Sequence, residues 1–318
     1  MYEEILKAST RIAGRIHTTP VQTSAAADAW AGKQLFFKCE NFQKTGSFKA
    51  RGALNAVLKA KDENPKLKGV VTHSSGNHGQ ALAWAARQAQ LQCTVVVPEG
   101  SPLVKCNAIQ SYGAELIYCA PNPQARYFIT EKIVAEFAFL FVPSSDHHDV
   151  IAGQGTIATE FLSQVPDLDA ILVPISGGGM TSGIAVAAKN IRPETKVFAV
   201  EPEGKDLQAS LMAEQRLWKG EPKFLDTIAD GIRLQQVDHL TFPLLCKYAE
   251  STVFSASDEE MVSAMKFIWQ QMKIVVEVSS SAGLAAAVSS RMKEVMPELK
   301  KIGVILCGGN VDIDKLPW

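Results

Sequence analysis

Short apolar runs rich in β-branched residues alternate with Ala-rich helical stretches along most of this chain, and that alternation constrains the fold more than any single motif. "GVVTH" leads into "GNHGQALAWAARQAQ", "CTVVVP" into "PLVKCNAIQSYG" and "AELIYC" into "PQARYFITEKIVAEF", and "AFLFVP" closes the set. Such a succession predicts parallel sheets with helices on both faces, an α/β fold. These runs make one unit, about Lys68 to Asp146. A second series follows: "GQGTIATEFLSQV", "AILVPI", "TSGIAVAAKNI", "KVFAVEP" and finally "IGVILC". Residues before 68 are expected to rejoin it, so that 1–67 with 147–318 form a large domain and 68–146 a small inserted one. With 318 residues, 47% of them hydrophobic, the chain can fill two lobes that share a cleft.

Charge and composition exclude several classes of partner. A formal net charge of −1 without a long basic run leaves no electrostatic footprint for nucleic acid or an anionic membrane. The start "MYEEILKAST" has no apolar signal core, and no stretch approaches eighteen uninterrupted apolar residues, so a cytoplasmic protein acting on small molecules is expected. The six cysteines are scattered without a CxxC pair, which suits reduced thiols better than a disulfide frame or zinc site.

Three polar, glycine-bearing turns follow predicted strands, where open α/β sheets bind ligands. In "AILVPISGGGMTSGIAVAAKN", Ser176, Gly177, Gly178, Gly179 and Met180 run straight into a helix, so that backbone N–H groups and the helix dipole converge as they do on a phosphate. Gly177, Gly179 and Gly183, with Glu201 ending the next strand, also approximate a dinucleotide fingerprint, which leaves the other two turns unexplained. In "VVTHSSGNHGQALAWAA", His73, Ser74, Ser75, Asn77 and His78 sit at a helix start, where hydroxyls and backbone donors suit a carboxylate; N-capping would account for one polar residue among them. The third turn is Cys307-Gly308-Gly309-Asn310. Between these sites "ENFQKTGSFKARGALNA" places Lys49 where a loop becomes a helix. A phosphate site, a carboxylate site and a lysine together suggest pyridoxal phosphate, its aldehyde held by Lys49 as a Schiff base.

The chain resembles the fold-type II pyridoxal phosphate enzymes, the tryptophan synthase β-like fold of two doubly wound domains with the cofactor in the cleft. Within them it is most similar to the serine racemase and serine/threonine dehydratase family. "KTGSFKARGALNA", "THSSGNHGQALA", "AIQSYGAELIYC", "VIAGQGTIATE", "SGGGMTSGIA", "TIADG" and "GGNVD" occur in that family's order over nearly the whole length. The resemblance implies that Lys49 carries pyridoxal 5'-phosphate, that Phe48 packs against its ring, that Asn77 hydrogen-bonds the ring hydroxyl and that Ser176 to Met180 hold the phosphate. Cys307 matches the position facing the pyridine nitrogen, usually Ser or Thr. A thiol there is a poor donor, so a moderate electron sink is expected. His73, Ser74, Ser75, Asn77 and His78 match the substrate carboxylate site, and Ser75 stands where racemases place the second proton-transfer group.

Departures bear on substrate and regulation. The family's divalent-ion ligands match Glu201, Lys205 and Leu207, leaving Glu201 as the one remaining side-chain ligand and a cation beside it. Ser24, Lys44, Thr45, Gln80 and Tyr112 match a nucleotide site, which implies ATP or AMP as an effector, although Ala25 replaces a serine. Leu234-Gln235 replace a serine pair, and the loop "PSSDHHDV" carries Ser144, Ser145, His147 and His148. With Arg126 they would make a changed side-chain pocket, resembling animal aspartate racemases. The expected function is a homodimeric racemase of aspartate, or of serine, with β-elimination as a side reaction. A serine/threonine or hydroxyaspartate dehydratase is the alternative, and a silent nucleotide-binding regulator on the same scaffold a further one.

Overall fold

The computed structural model describes residues 1–318, except the side chain of Pro123. Ten strands form two sheets: β1 (Val21–Gln22), β2 (Gln34–Cys39), β3 (Gly69–Thr72), β4 (Gln92–Pro98), β5 (Glu115–Cys119), β6 (Leu140–Phe141), β7 (Ala170–Pro174), β8 (Lys196–Pro202), β9 (Phe254–Ala256) and β10 (Lys301–Leu306). The larger sheet has the order β1-β2-β10-β7-β8-β9 and is parallel except for the β1–β2 pair. The smaller, β5-β4-β3-β6, is parallel throughout. Strands buried on both faces need continuous apolar runs, and Ala170–Pro174 is buried at every position. This is the α/β architecture of two doubly wound sheets that the alternating pattern predicts. We propose residues 68–146 as the inserted lobe: the four-stranded sheet is made wholly of them. The helix Lys49–Glu63 lies before them in the chain and sends Ala50, Ala53, Leu54 and Val57 into the core beneath that sheet.

Strand register brings distant turns together. Leu306 pairs with Cys39, so the segment after β2, which leads to Lys49, runs beside the turn after β10. The helix His148–Gln164 then fixes a second distance. A Cβ at Gly153 would stand 2.6 Å from the Gly52 Cα, and one at Gly183 would stand 2.8 Å from the Gly155 nitrogen. Backbones touch at both places, so this helix spaces the Lys49 helix from the helix Gly179–Ile191, and the glycines of "AGQG" leave room for both contacts.

Beneath the Lys49 helix lies a buried charge network. Arg51 Nε and Nη2 donate to the two Glu40 carboxylate oxygens at 2.8 Å each, and Nη2 also donates to Glu160 at 3.2 Å. Lys38 Nζ donates to Glu160 at 2.5 Å, to Gln164 at 2.8 Å and to the Thr19 carbonyl at 2.8 Å. Two cations and two anions thus share one largely buried site. Burial raises the Glu160 carboxyl, but Arg51 and Lys38 reverse this and hold it below the usual range. Replacing Arg51 with Met would strand Glu40 and leave Glu160 with Lys38 alone, a change that costs about 3–5 kcal/mol when one partner of a buried pair is removed. Thermal and denaturant unfolding of Arg51→Met should show that loss; unfolding within about 1 kcal/mol of wild type would mean the network is not what secures this helix. The Glu160 contribution is present at neutral pH and disappears as pH falls below about 4.3, the unfolded carboxyl value.

Candidate active site

Lys49 is aimed by the turn before it. Thr45 and Gly46 take positive φ, 61° and 72°, and the reversed chain is stitched to the end of β10: Gly309 N donates to the Gly46 carbonyl at 2.9 Å and Phe48 N to that of Cys307 at 3.0 Å. A Cβ at Gly46 would meet Asn310 Oδ1 at 2.6 Å, so glycine suits this position for both its φ and its neighbour. Lys49 opens its helix half-buried, with Nζ 5.0 Å from the Phe48 ring centroid and donating to the Ser144 carbonyl at 2.6 Å. Burial lowers its pKa to about 8, against the opposing pull of Asp238, Cys307 and Glu277. A share of this amine is therefore neutral near physiological pH, as a nucleophile or base needs.

The glycine turn after β7 lies over Asp238. Gly178 has φ 97°, and as N-cap of the helix Gly179–Ile191 it provides no side-chain cap. Added Cβ atoms would meet Asp238 Oδ2 at 2.2 Å from Gly177 and Thr241 Oγ1 at 2.7 Å from Gly178, so only glycine fits this cradle. Ser145 is buried against the same turn and donates to Asp238 Oδ2 at 2.5 Å. It faces the cradle, while neighbouring Ser144 offers its carbonyl to Lys49.

The loop after β3 comes from the four-stranded sheet. The helix Asn77–Gln88 begins at Gly76 with no side-chain cap, so its first N–H groups are not taken by the nearby serines. Ser74 Oγ accepts from Gly76 N at 3.4 Å, and Ser75 is half-buried. His78 is turned away from the loop: its Nε2 pairs with the Val142 carbonyl at 2.9 Å, and burial, with Lys49 nearby, lowers its pKa to about 3, leaving it neutral. What His78 presents toward a carboxylate is its backbone N–H at the helix start. His73 stacks edge-on to Tyr127 with ring centroids 4.8 Å apart, and its Nε2 is buried without a partner.

Asn77 and Cys307 meet around a residue the sequence reading missed. Glu277 is buried and accepts from Asn77 Nδ2 at 2.9 and 3.1 Å, while Asn310 donates to Asn77 Oδ1 at 2.9 Å. Burial raises the Glu277 pKa to about 7. Burial first, then Glu277, pushes the Cys307 thiol far above its usual range, so it stays protonated. The available signal was one glutamate inside the apolar run "IVVEVSSSAG".

Other expected residues lie apart from this centre or do other work. Ser24 caps the helix Ala25–Ala31, and among the described residues no side-chain hydrogen bond joins it to Lys44, Thr45, Gln80 or Tyr112. Glu201 accepts from Leu207 N at 3.2 Å and Ser255 Oγ at 3.3 Å, and burial raises its pKa to about 7. Lys205, wholly buried, sends its ammonium to the Leu234 carbonyl. The two departures noted in the sequence therefore touch. Arg126 is half-buried, with its guanidinium carbon 5.6 Å from the Phe224 ring centroid.

These residues fit pyridoxal phosphate. A cradle that admits no side chain and has uncapped N–H groups suits a phosphate, a lysine with a lowered pKa suits an aldehyde, and Phe48 and Cys307 lie beside that lysine. Comparison with known proteins leads to the same cofactor. Residues 12–308 match the family described as pyridoxal-phosphate dependent enzyme. The serine racemase of Dictyostelium discoideum is 44% identical over 99% of this chain and 96% of its own. The L-threo-3-hydroxyaspartate ammonia-lyase of Saccharomyces cerevisiae is 42% identical over 99% and 94%. A crystal structure of a pyridoxal 5'-phosphate-dependent aspartate racemase superposes with a TM-score of 0.97 at 53% identity, covering 99% of this chain and 97% of that one. With its two parallel sheets, its lysine and its glycine cradle, this chain belongs to the pyridoxal-phosphate dependent enzymes.

Proposed function

We propose that the protein interconverts L- and D-aspartate by proton transfer at Cα, with serine as the alternative substrate and β-elimination as a side reaction. The reaction rests on Lys49, an amine with its pKa lowered to about 8 at the junction of the cradle and the carboxylate loop. The substrate rests on Arg126, a half-buried cation beside His73 whose electrostatic neighbours include no carboxylate. The 53% identity to an aspartate racemase, against 44% to a serine racemase, supports the same choice. A second reading, elimination from hydroxyaspartate as the main reaction, is favoured by the yeast relative and would use the same cation.

Bound pyridoxal phosphate supplies the electron sink that acidifies the Cα proton, and Ser176 to Met180, Lys49, Phe48, Asn77 and Cys307 are the residues that would hold it. The rest belongs to the chain. The N–H groups opening the helix Asn77–Gln88, with Ser74, receive the α-carboxylate. Lys49 takes the proton from one side of Cα, and Ser75 returns one from the other, which inverts the centre; in the reverse direction the roles exchange. Cys307, neutral and a weak donor, adds no positive charge to the sink.

Three expected outcomes follow. Lys49→Ala should lose both the lysine-linked absorbance band and turnover, and cofactor uptake by the wild-type apoprotein should quicken as pH rises through about 8, where the amine loses its proton; wild-type racemisation by the alanine variant would refute the assignment. Ser75→Ala should suppress racemisation at least about tenfold more than elimination from an L-substrate, measured by chiral chromatography and keto-acid release, whereas equal losses would remove Ser75 from the proton path. Arg126→Ala should cut turnover of aspartate by more than about tenfold, roughly 1.4 kcal/mol, and that of serine much less. A wild-type enzyme with the higher kcat/KM for serine would return the chain to serine racemisation, and accumulation of keto acid in place of D-amino acid would favour the dehydratase.

A further inference from the structure

Arg126 shares an aromatic neighbour with a second arginine, Arg233. The guanidinium carbon of Arg233 stands 4.3 Å from the centroid of the same Phe224 ring that Arg126 approaches at 5.6 Å. Arg126 comes from the helix Pro123–Phe137, beside the small sheet. Phe224 and Arg233 belong to a short antiparallel ladder in which Phe224 pairs with Leu234, Leu225 N donates to the Arg233 carbonyl at 2.8 Å and Gln235 N to that of Lys223 at 3.0 Å. That hairpin is held at three points. Lys205 holds the Leu234 carbonyl, Gly231 N donates to Ser279 Oγ at 2.9 Å, and Arg216 donates to Gln236 at 3.0 Å.

Two cations converge on one aromatic ring without an acid between them. Among the described residues no carboxylate pairs with either guanidinium, and Arg233 opposes the charge on Arg126, whose ionisation is already disfavoured by burial. A cation over an exposed ring gains about 0.5–1 kcal/mol. Phe224 is 46% exposed, so it only modestly offsets the repulsion between the two cations. An anion with two in-plane oxygens would satisfy both guanidinium forks. A third feature lies near Arg126. His73, electrostatically coupled to Arg126, has a buried Nε2 with no partner and is one residue from the serines of the carboxylate loop.

We propose that Arg233 and Arg126 together receive the second carboxylate of the substrate, and that Phe224 is a positioning residue that spaces the two guanidiniums. The inference rests on the aspartate reading and deepens it: the site is completed by the helix and the hairpin together, so a dicarboxylate bridges two elements that a monocarboxylate leaves unlinked.

The test uses holoenzyme and two unreactive probes, succinate and butyrate, which differ in one carboxylate. Isothermal titration should give an Arg233→Gln variant with succinate affinity reduced about tenfold and butyrate affinity changed less than about twofold. Its cofactor absorbance and melting temperature should match wild type. Arg233→Lys should recover part of the loss, since it restores charge without the fork, and Phe224→Leu should weaken succinate alone. In turnover, Arg233→Gln should raise the KM for aspartate and leave that for serine unchanged. Succinate binding by Arg233→Gln equal to wild type would overturn the proposal, as would an equal loss for both probes. The two readings separate cleanly. Wild type with a higher kcat/KM for serine than for aspartate sinks the aspartate reading whatever the variant does, whereas a wild type that prefers aspartate and an Arg233→Gln variant that keeps the preference sink only the role of Arg233.

Discussion

Everything in the cleft depends on two places where helix backbones touch. Gly153 lies on Gly52 and Gly155 on Gly183, so one helix, His148–Gln164, sets the spacing of its two neighbours. Lys49 is three residues before the first contact, and the cradle residue Gly179 four before the second. Close-packed interiors transmit displacement and do not absorb it. A methyl group at either contact would have to separate backbones, not side chains, and the separation would appear as a longer distance between the Lys49 amine and the glycine turn after β7.

Charge is arranged in two layers on either side of this scaffold. Below the Lys49 helix, Arg51, Lys38 and Glu40 are buried and paired with one another and with the partly exposed Glu160, which is how a protein interior tolerates ions. Above it, the ionisable groups are left in tension: Lys49 with a lowered pKa, Glu277 and Asp238 with raised ones, and His78 held neutral. Pairing makes a group inert, while burial without full pairing keeps proton affinities close enough for exchange. Arg51 and Lys49 are two residues apart on one helix and belong to opposite layers.

The sheets, the turns after β3, β7 and β10 and the place of Lys49 at a helix start were legible in the sequence because strand periodicity, glycine runs and helix starts are local properties. The carboxylates of the site were not. Asn77 meets Glu277 across 200 residues, and Ser145 meets Asp238 across 93. Neither acid sits in a motif, and only strand order and register bring them in. Two side chains were read by position and are aimed by tertiary packing instead: His78 toward the Val142 carbonyl, and Ser145 toward the cradle in place of the substrate pocket. Arg233 went unremarked because a lone arginine after "ADG" carries no pattern. Its meaning comes from Arg126, which approaches the same ring.

The bond from Lys205 to the Leu234 carbonyl makes the hairpin's anchor part of the chain itself. A positive charge attached through a side chain cannot be diluted away, and its local concentration is set by its own stem. The posture of the loop bearing Arg233 is therefore settled when the protein folds, and it does not track the ionic composition of the surroundings. What can loosen it is proton loss, because burial has brought Lys205 down to about 8. Alkalinity would remove the charge while leaving an amine still able to donate, so the anchor would soften by degrees and not release at once.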